Sequence, residues 1–254
     1  MYASREDSHY QPISWEAALA KISDKLKSLQ SPDNAAFYTS GRTSNEAAFL
    51  YQAFVRMYGT NNLPDCSNMC HESSGKALIS TIGIGKGTVS LTDFNHADTI
   101  LVIGQNPGTN HPRMLTALRD AKDNGAKIIH INPLTETGLI RFKHPQDYMK
   151  LNFSSTKLSD VHIPIKIGGD AALFQALNKI IIESKSIDND FIESKTKGYD
   201  EYCDSLTNLE WTRVVTDTGI PRATIEGVAE LLINSKTTIS CWAMGLTQHK
   251  NGVA

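Results

Sequence analysis

Asp98-Thr99-Ile100-Leu101-Val102-Ile103-Gly104 is a continuous apolar run closed by a glycine, and the residues after it decide the fold. A run without a polar face reads as a strand covered on both sides, as in a parallel sheet. The loop Gln105-Asn106-Pro107-Gly108-Thr109-Asn110-His111-Pro112 follows, and a helix is expected over residues 113–124, stopped by Gly125. Lys127-Ile128-Ile129-His130-Ile131 is then a second strand. Strand, helix and strand of this size make a βαβ unit, so the fold class is α/β with parallel-sheet, Rossmann-like layers. Ligands of such open sheets sit at the carboxyl ends of the strands. Two loops leave such ends, residues 104–111 and Asn132-Pro133-Leu134-Thr135-Glu136-Thr137, and both are rich in amides and hydroxyls that can read a nucleobase or a phosphate. Loop asparagines are ordinarily turn formers, so two loops on one rim count for more than either alone.

Downstream, residues 141–159 are polar and weakly periodic and read as a surface excursion. Residues 161–167 are expected to be extended, and Gly168-Gly169-Asp170 to open a helix reaching about Ser184, with Asp170 as its cap. Shorter helical pieces fill residues 189–206, and Pro221 suits the first turn of a helix ending near Asn234. Residues 237–243 form a strand that ends in Met244-Gly245-Leu246-Thr247-Gln248-His249, a third strand-end loop with a bare glycine and an amide side chain. Upstream, Ser14 caps an amphipathic helix, residues 35–40 are expected as a short strand, and a second helix is expected from Glu46 to about Tyr58. Arg42 lies in the glycine turn between them, where its planar fork suits a phosphate; a solvated turn arginine is an equally good reading there.

Between these halves stands Asp65-Cys66-Ser67-Asn68-Met69-Cys70-His71-Glu72-Ser73-Ser74-Gly75, which holds the paired cysteines. It follows the turn-forming Gly59-Thr60-Asn61-Asn62-Leu63-Pro64 and precedes a helix expected near Ser73. A thiol at a loop-to-helix junction ionises more easily than one in a core, and a thiolate binds soft metals. Cys66 or Cys70 could therefore be a metal ligand or nucleophile, with His71 as a neighbouring proton carrier. Composition alone favours two small buried hydrophobes and a surface histidine. A zinc site needs a second close pair of ligands, and Cys203, Cys241, His96 and His111 stand apart.

The 254 residues, 40% hydrophobic and 20% charged, fit a soluble globular chain, and the formal net charge of −2 gives no electrostatic pull toward nucleic acid. No apolar run approaches the roughly 20 residues of a membrane span. Four irregularly spaced cysteines make no disulfide framework, and no leader opens the chain, so a cytoplasmic location is expected. Gly83-Ile84-Gly85-Lys86-Gly87 matches neither a P-loop nor a dinucleotide fingerprint.

Taken in order, these residues resemble the catalytic subunits of molybdopterin oxidoreductases, in the formate dehydrogenase alpha-subunit-like branch. The resemblance covers essentially the whole chain, from Ser14-Trp15 to Gly252. It rests on Gly41-Arg42 with Asn45-Glu46, residues 66–75, Gly104-Gln105-Asn106-Pro107 with His111-Pro112, Asn132-Pro133 with Thr135 and Thr137, Gly168-Gly169-Asp170, and residues 244–249.

It implies a bis(molybdopterin guanine dinucleotide) cofactor carrying molybdenum or tungsten. Cys70 matches the metal-ligand position, and His71 the adjacent histidine proposed to accept a proton. Arg42, Gly104, Gln105, Asn106, Pro107, His111, Asn132, Pro133, Thr135, Glu136, Gly168, Gly169, Asp170, Met244, Gly245 and Gln248 match cofactor-cradling positions. Cys66 falls where relatives often place a cofactor-facing residue. The implied substrate is formate or a similar small anion, with an electron-transfer partner that no residue identifies.

The chain departs from the family pattern in lacking the N-terminal cysteine-rich segment for a [4Fe-4S] cluster, and Asn132 stands where many relatives have aspartate. It is expected to be an internal piece of a longer subunit, inactive alone. Its expected organisation is a partial α/β domain over residues 1–69 and a Rossmann-like cofactor domain over residues 70–254. The rival classes are a metal-free dinucleotide enzyme, which would need a glycine fingerprint, and a non-catalytic or stress-related binding module.

Overall fold

A computed structural model describes residues 1–40, 43–64, 70–146 and 155–252. The chain forms two compact units, Met1–Glu72 and Ser73–Ala254.

The second unit is built on a four-stranded parallel sheet: β1 (Thr99–Ile103), β2 (Lys127–Ile131), β5 (Val161–Ile163) and β6 (Thr238–Trp242), in the order β5-β2-β1-β6. Alternate residues of β1 and β2 serve opposite faces. Leu101, Ile103, Ile129 and Ile131 pack with Leu173, Val214, Ile225 and Val228. Ile100, Val102 and Ile128 pack with Leu115, Leu118, Leu139 and Leu158. Helices thus cover both faces: α5 (Met114–Asp123) on one, and α7 (Asp170–Glu183), α10 (Trp211–Thr218) and α11 (Arg222–Ile233) on the other. This double burial is why the strands read as unbroken apolar runs. Edge contacts are fixed by polar pins. Asp160 accepts hydrogen bonds from the Lys122 ammonium and, at 2.8 Å, from the Ile128 N–H, while Asp98 accepts from Lys236 N–H at 2.9 Å.

The chain runs outward through β1, β2 and β5, then returns to lay β6 on the far side of β1. The switch in direction therefore falls between β1 and β6, where a crevice opens in such sheets. Their exits are bound closely: Gly245 N–H donates to Gly104 O at 3.0 Å. Gly104 has φ +55°, and a Cβ on either glycine would lie 2.7 Å or less from the other's backbone. Only glycine fits at both places.

Several expectations are corrected. The loops after β1, β2 and β6 each wind into one helical turn, α4 (Pro107–Asn110), α6 (Thr137–Ile140) and α12 (Met244–Thr247). In α4 the Asn106 side chain caps by accepting from Thr109 N–H at 3.2 Å, and Pro107 takes the first position. The N-cap of α7 is Gly169, not Asp170, which is the first helical residue. Residues 141–159 are not merely a surface excursion: β3 (Arg141–Phe142) pairs antiparallel with β4 (Thr156–Lys157), and Leu158 is fully buried. The shorter pieces are α8 (Asn189–Lys195) and α9 (Tyr199–Thr207), and α10 was missed.

The first unit holds α1 (Trp15–Lys27), α2 (Asn45–Tyr58) and the start of α3 (Glu72–Ile82). Ser14 and Ser44 cap α1 and α2 through bonds to Ala17 and Ala47 N–H. The strand expected over residues 35–40 does not form. Phe37 N–H bonds Asn62 O at 2.9 Å, and its ring packs edge-on against Tyr51, Phe54 and Tyr58 instead of entering a ladder. Among the described residues, no helix is long and apolar enough to cross a membrane.

Candidate functional site

A cavity of about 510 Å³ opens at the carboxyl ends of the parallel strands. Every strand exit contributes: Gly104 after β1, Asn132, Pro133 and Glu136 after β2, Ile165 and Ile167 after β5, and Met244, Gly245 and Gln248 after β6. Asp170, at the start of α7, completes the wall. The two glycines leave backbone uncovered on one side, and the Met244 and Gln248 side chains are held together, Gln248 Nε2 donating to Met244 Sδ at 3.4 Å.

The β1 and β2 loops are tied by one carboxylate. Glu136 Oε2 accepts from Asn106 Nδ2 at 2.6 Å, and Oε1 accepts from Asn132 Nδ2 at 3.2 Å. Two amide donors fix Glu136 while Asn106 also caps α4, so one carboxylate joins the two loops. Below them α4 and α6 touch through Gly108 and Gly138, where an added Cβ would meet the other's Cα at 3.1 Å or less.

Gln105 is buried beside this rim. Its Nε2 donates toward His111 Nδ1 and Met114 Sδ, both at 3.3 Å, and its Oε1 is buried without a hydrogen-bond partner among the described residues. A buried acceptor without a partner costs about 1–3 kcal/mol.

Asp170 is 8% exposed, and burial raises its carboxyl above the ordinary range, while its own backbone N–H and the His249 imidazole pull it back. His249 Nε2 lies 3.9 Å from Asp170 Oδ2 and donates to Gly245 O at 2.6 Å. Asp170 and His249 also line a second cavity of about 650 Å³, with Gly168, Trp242 and the first turns of α3. There Ser73 Oγ donates to Thr247 O at 3.4 Å and Trp242 Nε1 to Ser74 Oγ at 3.1 Å, so α3 is anchored to the exit of β6.

The structure thus gathers Gly104, Asn132, Pro133, Glu136, Asp170, Met244, Gly245 and Gln248 around one cavity. It leaves Gln105, Asn106, Pro107, His111 and Thr135 off both walls. Asn106 and Pro107 build α4, His111 holds Gln105, and Thr135 bonds His162. Gly169 is needed for packing, since a Cβ there would meet Asp217 O at 2.8 Å. Arg42 and Cys66 lie outside the described residues. Cys70 is an exposed thiol two positions before α3, with the exposed His71 next to it. Cys241 is different, its thiol pushed up to about 11 by burial, so it stays protonated. His249 was missed by sequence reasoning, although it directly follows Gln248; a lone loop histidine gives no local signal of a partner 79 positions away (249 − 170).

Comparisons with known proteins bear on the family and the fold. The family model described as molybdopterin oxidoreductase matches residues 3–254. The chain is 52% identical to an uncharacterized oxidoreductase of Mycobacterium tuberculosis (strain H37Rv), covering 98% of this chain and 33% of that protein. It is 30% identical to the alpha subunit of F420-dependent formate dehydrogenase 2 from Methanococcus maripaludis, covering 98% and 34%. Among solved structures, the acetylene hydratase of Pelobacter acetylenicus shares the fold, with TM-score 0.63 and 22% identity over 99% of this chain and 32% of that one. The chain spans about a third of the length of the curated relatives it matches.

Proposed function

This chain belongs to the molybdopterin oxidoreductase family, and from that premise we propose that it is the part of a formate dehydrogenase-like enzyme that grips a guanine nucleotide arm of the cofactor and supplies the metal's thiolate. The carrying observation is the cavity at the exits of all four parallel strands, floored by the Gly104–Gly245 contact.

The residues fit such a group. The bare glycine backbone gives a large planar or phosphate group close approach. Guanine presents hydrogen-bond donors along one edge, and the Asp170 and Glu136 carboxylates on the cavity wall are acceptors for them. A donor brought to Asp170 would restore the solvation that burial removes from its carboxylate. Amides rather than lysines dominate the loops, so recognition rests on hydrogen bonds from a preformed surface more than on net charge.

Cys70 is assigned as the protein's ligand to molybdenum or tungsten: its exposed sulfur suits a soft metal. When bound, the cofactor supplies a centre that takes up two electrons. Formate oxidation to CO2 releases two electrons and one proton, and His71, next to Cys70 in the chain, is assigned to receive that proton. The formate assignment is supported by the 30% identity to the Methanococcus protein and by the Cys70-His71 pair.

The test is steady-state kinetics of the full-length, metal-loaded protein with formate and an artificial dye acceptor. Formate-dependent dye reduction, lost in Cys70→Ser and strongly slowed in His71→Ala, is the expected result. Metal-loaded protein with no turnover on formate would remove formate from the reading, and wild-type rates in Cys70→Ser would remove the ligand assignment.

A further inference from the structure

α2 (Asn45–Tyr58) is apolar around most of its circumference, and only part of that surface is used inside its own unit. Apart from Glu46 in the first turn, its amide and charged residues Asn45, Gln52 and Arg56 fall on one line, seven and four positions apart (52 − 45, 56 − 52). One flank is turned inward: Val55 is fully buried, and the rings of Tyr51 and Tyr58 meet Phe37 edge-on. The next flank carries Leu50, Phe54 and Met57 at i, i+4 and i+7, with Phe49 beyond them, and these are exposed by 66%, 46%, 88% and 68%. A helix with a single narrow polar line belongs in an interior, not on a surface wetted on several sides.

Exposed apolar residues scattered singly are ordinary, but these four share one flank and offer on the order of 500 Å², the upper range of what a monomer leaves open. A stable contact between separate molecules takes roughly 800 Å² from each partner, more than this flank presents. A segment linked through the backbone needs less, because linkage supplies a high effective concentration. The chain spans about a third of the length of the curated relatives it matches, so proteins of that length hold polypeptide that can serve as a linked cover. We propose that the Leu50–Phe54–Met57 face of α2 is an internal interface of a longer polypeptide, covered by an apolar segment from outside these 254 residues.

The cover accounts for the thin core of the unit Met1–Glu72. On its own α2 buries only Val55, and its remaining large side chains gain burial when the linked segment lies on them. Met57 is the reporter of choice, since it is the most exposed of the four and its thioether is oxidised readily only where solvent reaches it.

The test is oxidation of Met57 by dilute hydrogen peroxide, read by peptide mass spectrometry, in the 254-residue chain and in the full-length protein. In the 254-residue chain Met57 should form its sulfoxide as fast as after unfolding in urea, at every protein concentration. In the full-length protein it should react at least about tenfold more slowly, with urea restoring the fast rate. Leu50→Asp should leave the urea midpoint of the 254-residue chain unchanged, and should lower that of the full-length protein or prevent its folding. Fast oxidation in both wild-type proteins overturns the proposal and leaves the face to a separate partner, and so does an unchanged midpoint of Leu50→Asp at full length. Slow oxidation already in the 254-residue chain overturns it as well: dependence on concentration assigns the cover to a second copy, and independence assigns it to the chain itself. Neither metal nor cofactor enters the measurement, so its failure and that of the nucleotide reading are separate.

Discussion

The unit of residues 1–72 and the unit of residues 73–254 keep their shapes by different means. In the second, two apolar layers enclose a sheet, and the strand-end loops are tied by glycine contacts and a shared carboxylate. In the first, α1 buries none of its residues and α2 buries only Val55, around one aromatic cluster at Phe37. Trp15 is 84% exposed and Met57 88%. Polar bonds do more there: Thr60 Oγ1 donates to Asp33 Oδ1 at 2.6 Å, and Asn62 Nδ2 to Asp33 O and Ala35 O. The difference separates two tasks. The nucleotide cradle proposed above would need preorganised backbone, and it is assigned to the unit with the two apolar layers. The thiol assigned to the metal stands in the unit with the thinner core, immediately before the boundary.

Substitutions should grade along this contrast. Gly245→Val is expected to be the most damaging, costing about 3 kcal/mol or more, because its branched side chain would push into the Gly104 backbone. Urea denaturation measures it, and a cost below about 1 kcal/mol would deny the close approach. Leu118→Ala, fully buried, is expected to cost about 3 kcal/mol. Acid is the next lever. The unfolded imidazole titrates near 6.5 and folded His130 near 4, so its contribution is complete above about pH 6.5. It is lost as pH falls toward 4, by up to roughly 3 kcal/mol, and His130→Leu should flatten that limb of the stability profile. In the first unit, Ser44→Ala should cost about 1 kcal/mol through its lost cap, and Trp15→Ser about 0.5 kcal/mol or less. A large cost at Trp15 would erase the contrast, since it would mean the residue is covered in solution.

What the sequence disclosed follows the same division. The 98–131 unit was legible because burial on both faces writes an apolar run, and Gly125 marks the helix end. The three strand exits were legible as one rim because parallel strands send their ends the same way. Nothing local marks the Gly104–Gly245 approach, the Asp170–His249 pair or the His130–His162 stack, whose partners are 141, 79 and 32 positions apart (245 − 104, 249 − 170, 162 − 130). The one-turn helices were hidden because four residues are too short for a periodicity. Residues 35–40 misled because Phe37 and Tyr38 look like a strand but serve an aromatic cluster and the surface.

The most direct measurement of the central claim is X-ray absorption at the metal edge of the full-length, metal-loaded protein, comparing wild type with Cys70→Ser. The account predicts one sulfur neighbour fewer in the variant, with an oxygen neighbour in its place. An unchanged sulfur count in a folded, metal-loaded Cys70→Ser protein would contradict it.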